Sequence, residues 1–179
     1  MKPREGPRAL LVLVGLLALQ LSVVLNLQIA GAHPNLIVGF AVTAGLAGGT
    51  KRGAIVGFAS GIALDLFLPT PFGLSALVGT ALGAGAGQLV EAGVDRTAWF
   101  FVPGVAALGS AVGVIMFAVL GTILGQPDML TVGLGAVVAV VSVVNGLLAR
   151  LLVRLCNWAF GEEKSGSAWR GTLVSGDNP

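Results

Sequence analysis

Asp65 is the one acid set well inside an apolar stretch of this chain. A charge in an apolar interior is expensive, so such a group pairs, bonds or acts. Counting from Gly53, Asp65 stands 12 residues on, about 18 Å along a helix. Near a helix C-terminus an acid opposes the macrodipole, so its own helix does not explain it. Three kinds of partner are open to it: backbone N–H groups of the turn Leu68-Pro69-Thr70-Pro71, a cation on another protein, and His33, the single histidine. The uncharged polar residues Gln20, Asn26, Ser60, Gln88 and Asn145 also lie in apolar runs, where hydrogen bonds between helices are expected, with Asn145 the most notable. One cysteine, Cys156, excludes an internal disulfide, and one histidine excludes paired-histidine metal motifs. There is no glycine-rich phosphate loop and no acid–histidine pair on one accessible face. The chain therefore reads as noncatalytic, with no cofactor, no metal and no nucleic-acid partner.

The elements that must position these residues follow from composition. Of 179 residues, 55% are hydrophobic and 10% charged, and the mean hydropathy is +0.94. A soluble domain carries about 25% charge, so the expectation is an all-α, polytopic membrane protein surrounded by lipid. Six spans are expected, at about 9–29, 35–49, 53–68, 72–90, 98–124 and 130–152, within one domain over 1–160. The polar segment 161–179 reads as a disordered cytoplasmic tail. The second and third spans are short, about 22 Å each as helix, and read as a tight hairpin turning at Thr50-Lys51-Arg52. Pro34 and Pro71 suit a first helical turn, and Thr70 and Asp128 suit helix caps.

Charge placement orients the spans. With the N-terminus inside, Lys2, Arg4, Arg8, Lys51, Arg52, Arg96, Arg150, Arg154, Lys164 and Arg170 all fall on the cytoplasmic side, and the outer loops hold no Lys or Arg. This obeys the positive-inside rule and predicts both termini in the cytoplasm. The basic start, apolar run and Ala30-Gly31-Ala32 also resemble a cleavable signal, but the run is nearer about 20 residues than the 7–15 usual there.

Glycine is the packing signal, at 28 residues. Membrane helices associate by close packing, which small residues permit. Ala41, Gly45 and Gly49 line one face, as do Gly53, Gly57 and Gly61, and again Gly79, Gly83 and Gly87. Spans two to four are therefore expected to form a tight core. Gly109 with Gly113, and Gly121 with Gly125, make the fifth span a candidate for an outer contact.

The segment Gly53 to Leu77, GAIVGFASGIALDLFLPTPFGLSAL, resembles the most characteristic stretch of the rod shape-determining protein MreD family. The likeness rests on Gly57-Phe58, Gly61, Asp65-Leu66 and the Pro-x-Gly-Leu turn at Pro71, Gly73 and Leu74. Pro34-Asn35-Leu36 is similar to that family's Pro-Asp-Leu opening, with Asn in place of Asp. The resemblance covers about residues 34–80. It implies a six-helix bacterial inner-membrane protein, similar in fold to the substrate-binding S-components of energy-coupling-factor transporters. It further implies a noncatalytic role in cell-wall elongation beside MreC, the MreB filaments, the RodA glycosyltransferase and a class B penicillin-binding protein. The alternative is a substrate-binding membrane component of a vitamin-type transporter. Against the usual anionic vitamins stands the absence of Lys and Arg from the outer side.

Overall fold

The computed structural model describes residues 5–24, 35–68, 71–94, 99–125 and 133–160, and all their regular structure is helical. Helix α1 is Glu5–Leu19 and continues into a π-helical turn, Gln20–Val24. Helix α2 is Leu36–Asp65, α3 Leu74–Glu91, α4 Phe101–Ile123 and α5 Leu134–Phe160. His33, Pro34, Asn26, Thr70, Asp128 and the segment 161–179 lie outside the described residues.

The described residues form five helices where six were expected, because α2 contains both short spans. It breaks at Gly48 and at Gly49, whose φ of 79° and ψ of −176° belong to a region only glycine adopts freely. The chain folds back there. A Cβ placed on Gly53 would lie 2.7 Å from the Cα of Gly45, whereas eight residues of unbroken helix span about 12 Å. The turn thus lies at Gly48–Gly49 rather than at Thr50-Lys51-Arg52. Lys and Arg are good helix formers, and both sit in the first turn of the returning segment, 50–65. At the far end, α5 extends eight residues beyond the expected boundary at 152, to Phe160, carrying Arg150, Arg154 and Trp158 on helix.

Glycine stripes bring three segments into backbone contact. A Cβ on Gly53 would overlap the backbone of Gly83, one on Gly57 that of Gly79, and one on Gly61 that of Ala76. The first half of α2 joins them through Gly45, which faces Gly83 and Gly87. Closer approach gains dispersion contacts that larger residues would block. Helix α4 turns its first glycine pair inward, contrary to the expected outer contact. Gly109 lies on Val42, and Gly113 lies against Leu82 and Val38. Of the second pair, Gly121 is buried, while Gly125 has open space around it. Helix α1 leans on the bundle through Val12, Leu16 and Leu17, which pack in one cluster with Phe40, Leu64, Leu152 and Cys156.

Two helices, Phe101–Ile123 and Leu134–Phe160, are long and apolar enough to cross a membrane, and only 28% of each apolar window is buried. The core helix of a soluble domain would bury most of it, so these two surfaces suit lipid. Arginines gather at one end of the bundle. Arg8 lies over Trp158 at 5.4 Å, Arg52 over Phe160 at 5.2 Å and Arg150 over Trp99 at 5.9 Å.

Candidate functional site

At the opposite end stands Asp65, the last residue of α2, only 4% exposed. Its Oδ2 accepts the N–H of Gly73 at 2.9 Å and of Ala76 at 3.3 Å, and its Oδ1 accepts the N–H of Ser75 at 3.1 Å. These are among the first N–H groups of α3, which have no partner within their own helix. The N-cap residue of α3 is Gly73, which has no side chain to supply one. Asp65 therefore caps the helix that follows its own. There its charge meets the positive end of a macrodipole, which resolves the objection that it opposes the dipole of α2. The expected turn bonding is found a few residues further on, at 73–76 rather than 68–71.

The residues between make this possible. Leu74 donates its N–H to the carbonyl of Pro71 at 3.1 Å, closing a turn. Gly73 takes a φ of 93°, a conformation that strains a residue with a Cβ. Pro71 thus belongs to the turn before α3, not to its first helical turn. Phe58 is exposed, as are Leu66, Phe67 and Phe72. His33 is outside the described residues, so its pairing with Asp65 is as well.

A second carboxylate does the same work at the other end. Glu91 is the last residue of α3. Its Oε1 accepts the N–H of Thr50 at 2.8 Å and its Oε2 accepts the Thr50 hydroxyl at 2.8 Å. Thr50 opens the returning half of α2, just past the break. The Thr50 backbone N–H and hydroxyl together hold the Glu91 carboxyl below its usual range. Each of these two antiparallel segments therefore ends in an acid that caps the start of the other. Sequence reasoning missed Glu91, assigning it to a charged loop. The signal that singled out Asp65, an acid at the wrong end of its own helix, applied equally to it.

The start of α2 is held in a third way. Asn35 Oδ1 accepts the N–H groups of Ile37 at 3.1 Å and Val38 at 3.3 Å. Asparagine caps a helix start as well as aspartate does. Gln20, from the π-helical turn, accepts the Leu36 N–H at 2.9 Å. The carbonyl of Asn35 accepts from Asn145 Nδ2 at 2.8 Å, and the same amide donates to Ser110 at 2.8 Å. Asn145 thereby joins α2, α4 and α5, pressed against Gly39, where no side chain would fit. Ser60 differs from expectation: its hydroxyl bonds the carbonyls of Val56 and Gly57 in its own helix. Gln88 is exposed.

Between the Asp65 and Asn35 caps lies a cavity of about 10 Å³, bordered by Asn35, Leu64, Ser75 and Val78. It offers room for about one water. Among the described residues, the hydrogen bonds of Asp65 go to backbone N–H groups, which fixes the start of α3. No family model, curated protein or solved structure matches this chain.

Proposed function

We propose that the chain is a noncatalytic scaffold of the MreD kind, crossing the bacterial inner membrane six times with both termini in the cytoplasm. In this reading it supports cell-wall elongation by binding MreC, with MreB, RodA and a class B penicillin-binding protein in the wider complex. The observation that carries the reading is the segment Gly53–Leu77. Its family-like residues Gly57, Gly61, Asp65, Pro71 and Gly73 act in one mechanical unit, as interface glycines, cap and turn. Supporting the topology, Arg8, Arg52 and Arg150 gather at one end of the bundle, away from Asp65. In this reading the folded-back α2 supplies two of the six crossings. The exposed Phe58, Leu66, Phe67 and Phe72 beside the rigid turn are the surface this reading gives to the partner.

Two experiments test the proposal. Reporter fusions at Gln28, Gly49, Pro69, Asp95, Gln126 and Phe160 should alternate outside and inside, beginning outside. Two successive fusions on the same side overturn the six-span topology. Depletion should widen or round a rod-shaped host, or misplace wall synthesis in one that grows otherwise, and the tagged protein should copurify with MreC. Normal shape and wall labelling, with loss of uptake of one vitamin, overturn the scaffold role.

A further inference from the structure

A groove of about 550 Å³ runs between α4 and α5 on the lipid-facing side of the bundle, bordered by Trp99, Gly104, Ala107, Ser142, Gly146 and Arg150. It follows α5 from Arg150 to Ser142, about 12 Å at 1.5 Å per residue. Its depth comes from small residues. Gly104 has nothing within 4 Å of where a Cβ would stand, and Gly146 lets α5 settle on the carbonyl of Pro103 and the side chain of Ala107.

The two ends of the groove differ in chemistry. At the mouth, Arg150 donates to the carbonyl of Trp99 at 2.6 Å and lies over its ring. These contacts fix the guanidinium, and among the described residues no carboxylate neutralises it. Its remaining donors suit a phosphate. Trp99 is 77% exposed, as expected of a ring at a membrane interface. The walls beyond are apolar, and the deep end points toward the bilayer interior. A fixed cation at headgroup level, with no carboxylate partner among the described residues, opening onto an apolar channel that descends among acyl chains, has the polarity of a phospholipid.

We propose that this groove is a binding site for an anionic phospholipid of the inner leaflet, its phosphate on Arg150 and one acyl chain between α4 and α5. The site uses the membrane embedding and the inward placement of the cations, and does not depend on a role in wall synthesis. Basic pockets between helices on the cytoplasmic side are suited to acidic headgroups. The competing occupant is a helix, from a second copy or another protein, whose backbone could bond the Ser142 hydroxyl at the deep end.

Quenching of Trp99 fluorescence separates these cases. The full chain carrying Trp158→Phe and Trp169→Phe, so that Trp99 is its one tryptophan, is placed in vesicles with either phosphatidylglycerol or phosphatidylcholine brominated on the acyl chains. The expected result is a preference of about fivefold for phosphatidylglycerol, the size of effect one interfacial cation gives. Arg150→Gln, which keeps a donor for the Trp99 carbonyl, should abolish the preference. Gly104→Leu, whose Cβ would meet nothing within 4 Å, puts a side chain into the groove and should reduce quenching by both lipids while the helical circular dichroism stays unchanged. Equal quenching by the two lipids, a preference that survives Arg150→Gln, or quenching indifferent to Gly104→Leu would each overturn the proposal. Protection of Trp99 from both lipids would overturn it in favour of a helix in the groove.

Discussion

The two carboxylates that cap the hairpin perform the same task in different surroundings. Asp65 is buried and offers three acceptor bonds to the backbone of α3, with both oxygens engaged. Glu91 is exposed and bonds one backbone N–H and one hydroxyl. If Asp65 is removed, donors are left where water does not compensate, which costs more than the bond itself contributed. When Glu91 is removed, Thr50 turns to solvent. Burial, rather than the number of hydrogen bonds, makes one cap a keystone and the other a trim.

That contrast can be broken by mutation, beginning where the effect should be largest. Asp65→Ala orphans the N–H groups of Gly73, Ser75 and Ala76 and should cost on the order of 3 kcal/mol or more. Thermal unfolding in detergent would read it as a large fall in midpoint. An unchanged midpoint would remove Asp65 from the framework. Gly57→Ala drives a methyl into the backbone of Gly79 and should cost up to about 3 kcal/mol. Gly104→Ala, in open space within α4, should leave the midpoint no lower and raise stability by up to about 1 kcal/mol.

Asp65→Asn sharpens the comparison. An amide presents one oxygen and one NH₂, so one of the two engaged acceptor atoms becomes a donor facing a donor. The expected loss is about 2 kcal/mol, between wild type and Asp65→Ala, with insertion retained. A neutral Asp65→Asn would mean that one oxygen suffices. Glu91→Gln should give the smallest effect, and a pH-dependent one. The Glu91 carboxyl titrates lower in the folded protein than its ordinary value of 4.5. Its contribution is therefore present above that value and lost as pH falls through the depressed folded value. The difference in unfolding midpoint between wild type and Glu91→Gln should be constant well above 4.5 and shrink as the pH falls below it. A difference that grows on acidification would reverse the sign and contradict the cap.

Much of this framework was legible in the residues. The stripes at Gly53-Gly57-Gly61 and Gly79-Gly83-Gly87 announce an interface because spacing of four repeats one helix face, and the two do meet. Asp65 stood out because its own helix gave it no reason to be there. The hairpin turn lies two residues before the expected Thr50-Lys51-Arg52 loop. Charges mark proximity to water, whereas the break follows the backbone freedom of Gly49. The reciprocal capping was not legible. Thr50 and Glu91 are 41 residues apart, and hydropathy carries no information about which distant carboxylate a helix start will meet. The inward turn of Gly109 and Gly113 was equally hidden, since a stripe shows that something approaches closely but not what.

Hydrogen exchange resolved to the amides of Thr50, Gly73, Ser75 and Ala76 tests the buried cap most directly, in folded wild type and in Asp65→Ala. The expected result is slow exchange at Ser75 and Ala76 in the wild type and fast exchange there in the variant, with the Thr50 amide unchanged. Equal protection at Ser75 and Ala76 in both proteins would show that Asp65 does not hold the start of α3, and would contradict the assignment of this residue as its cap.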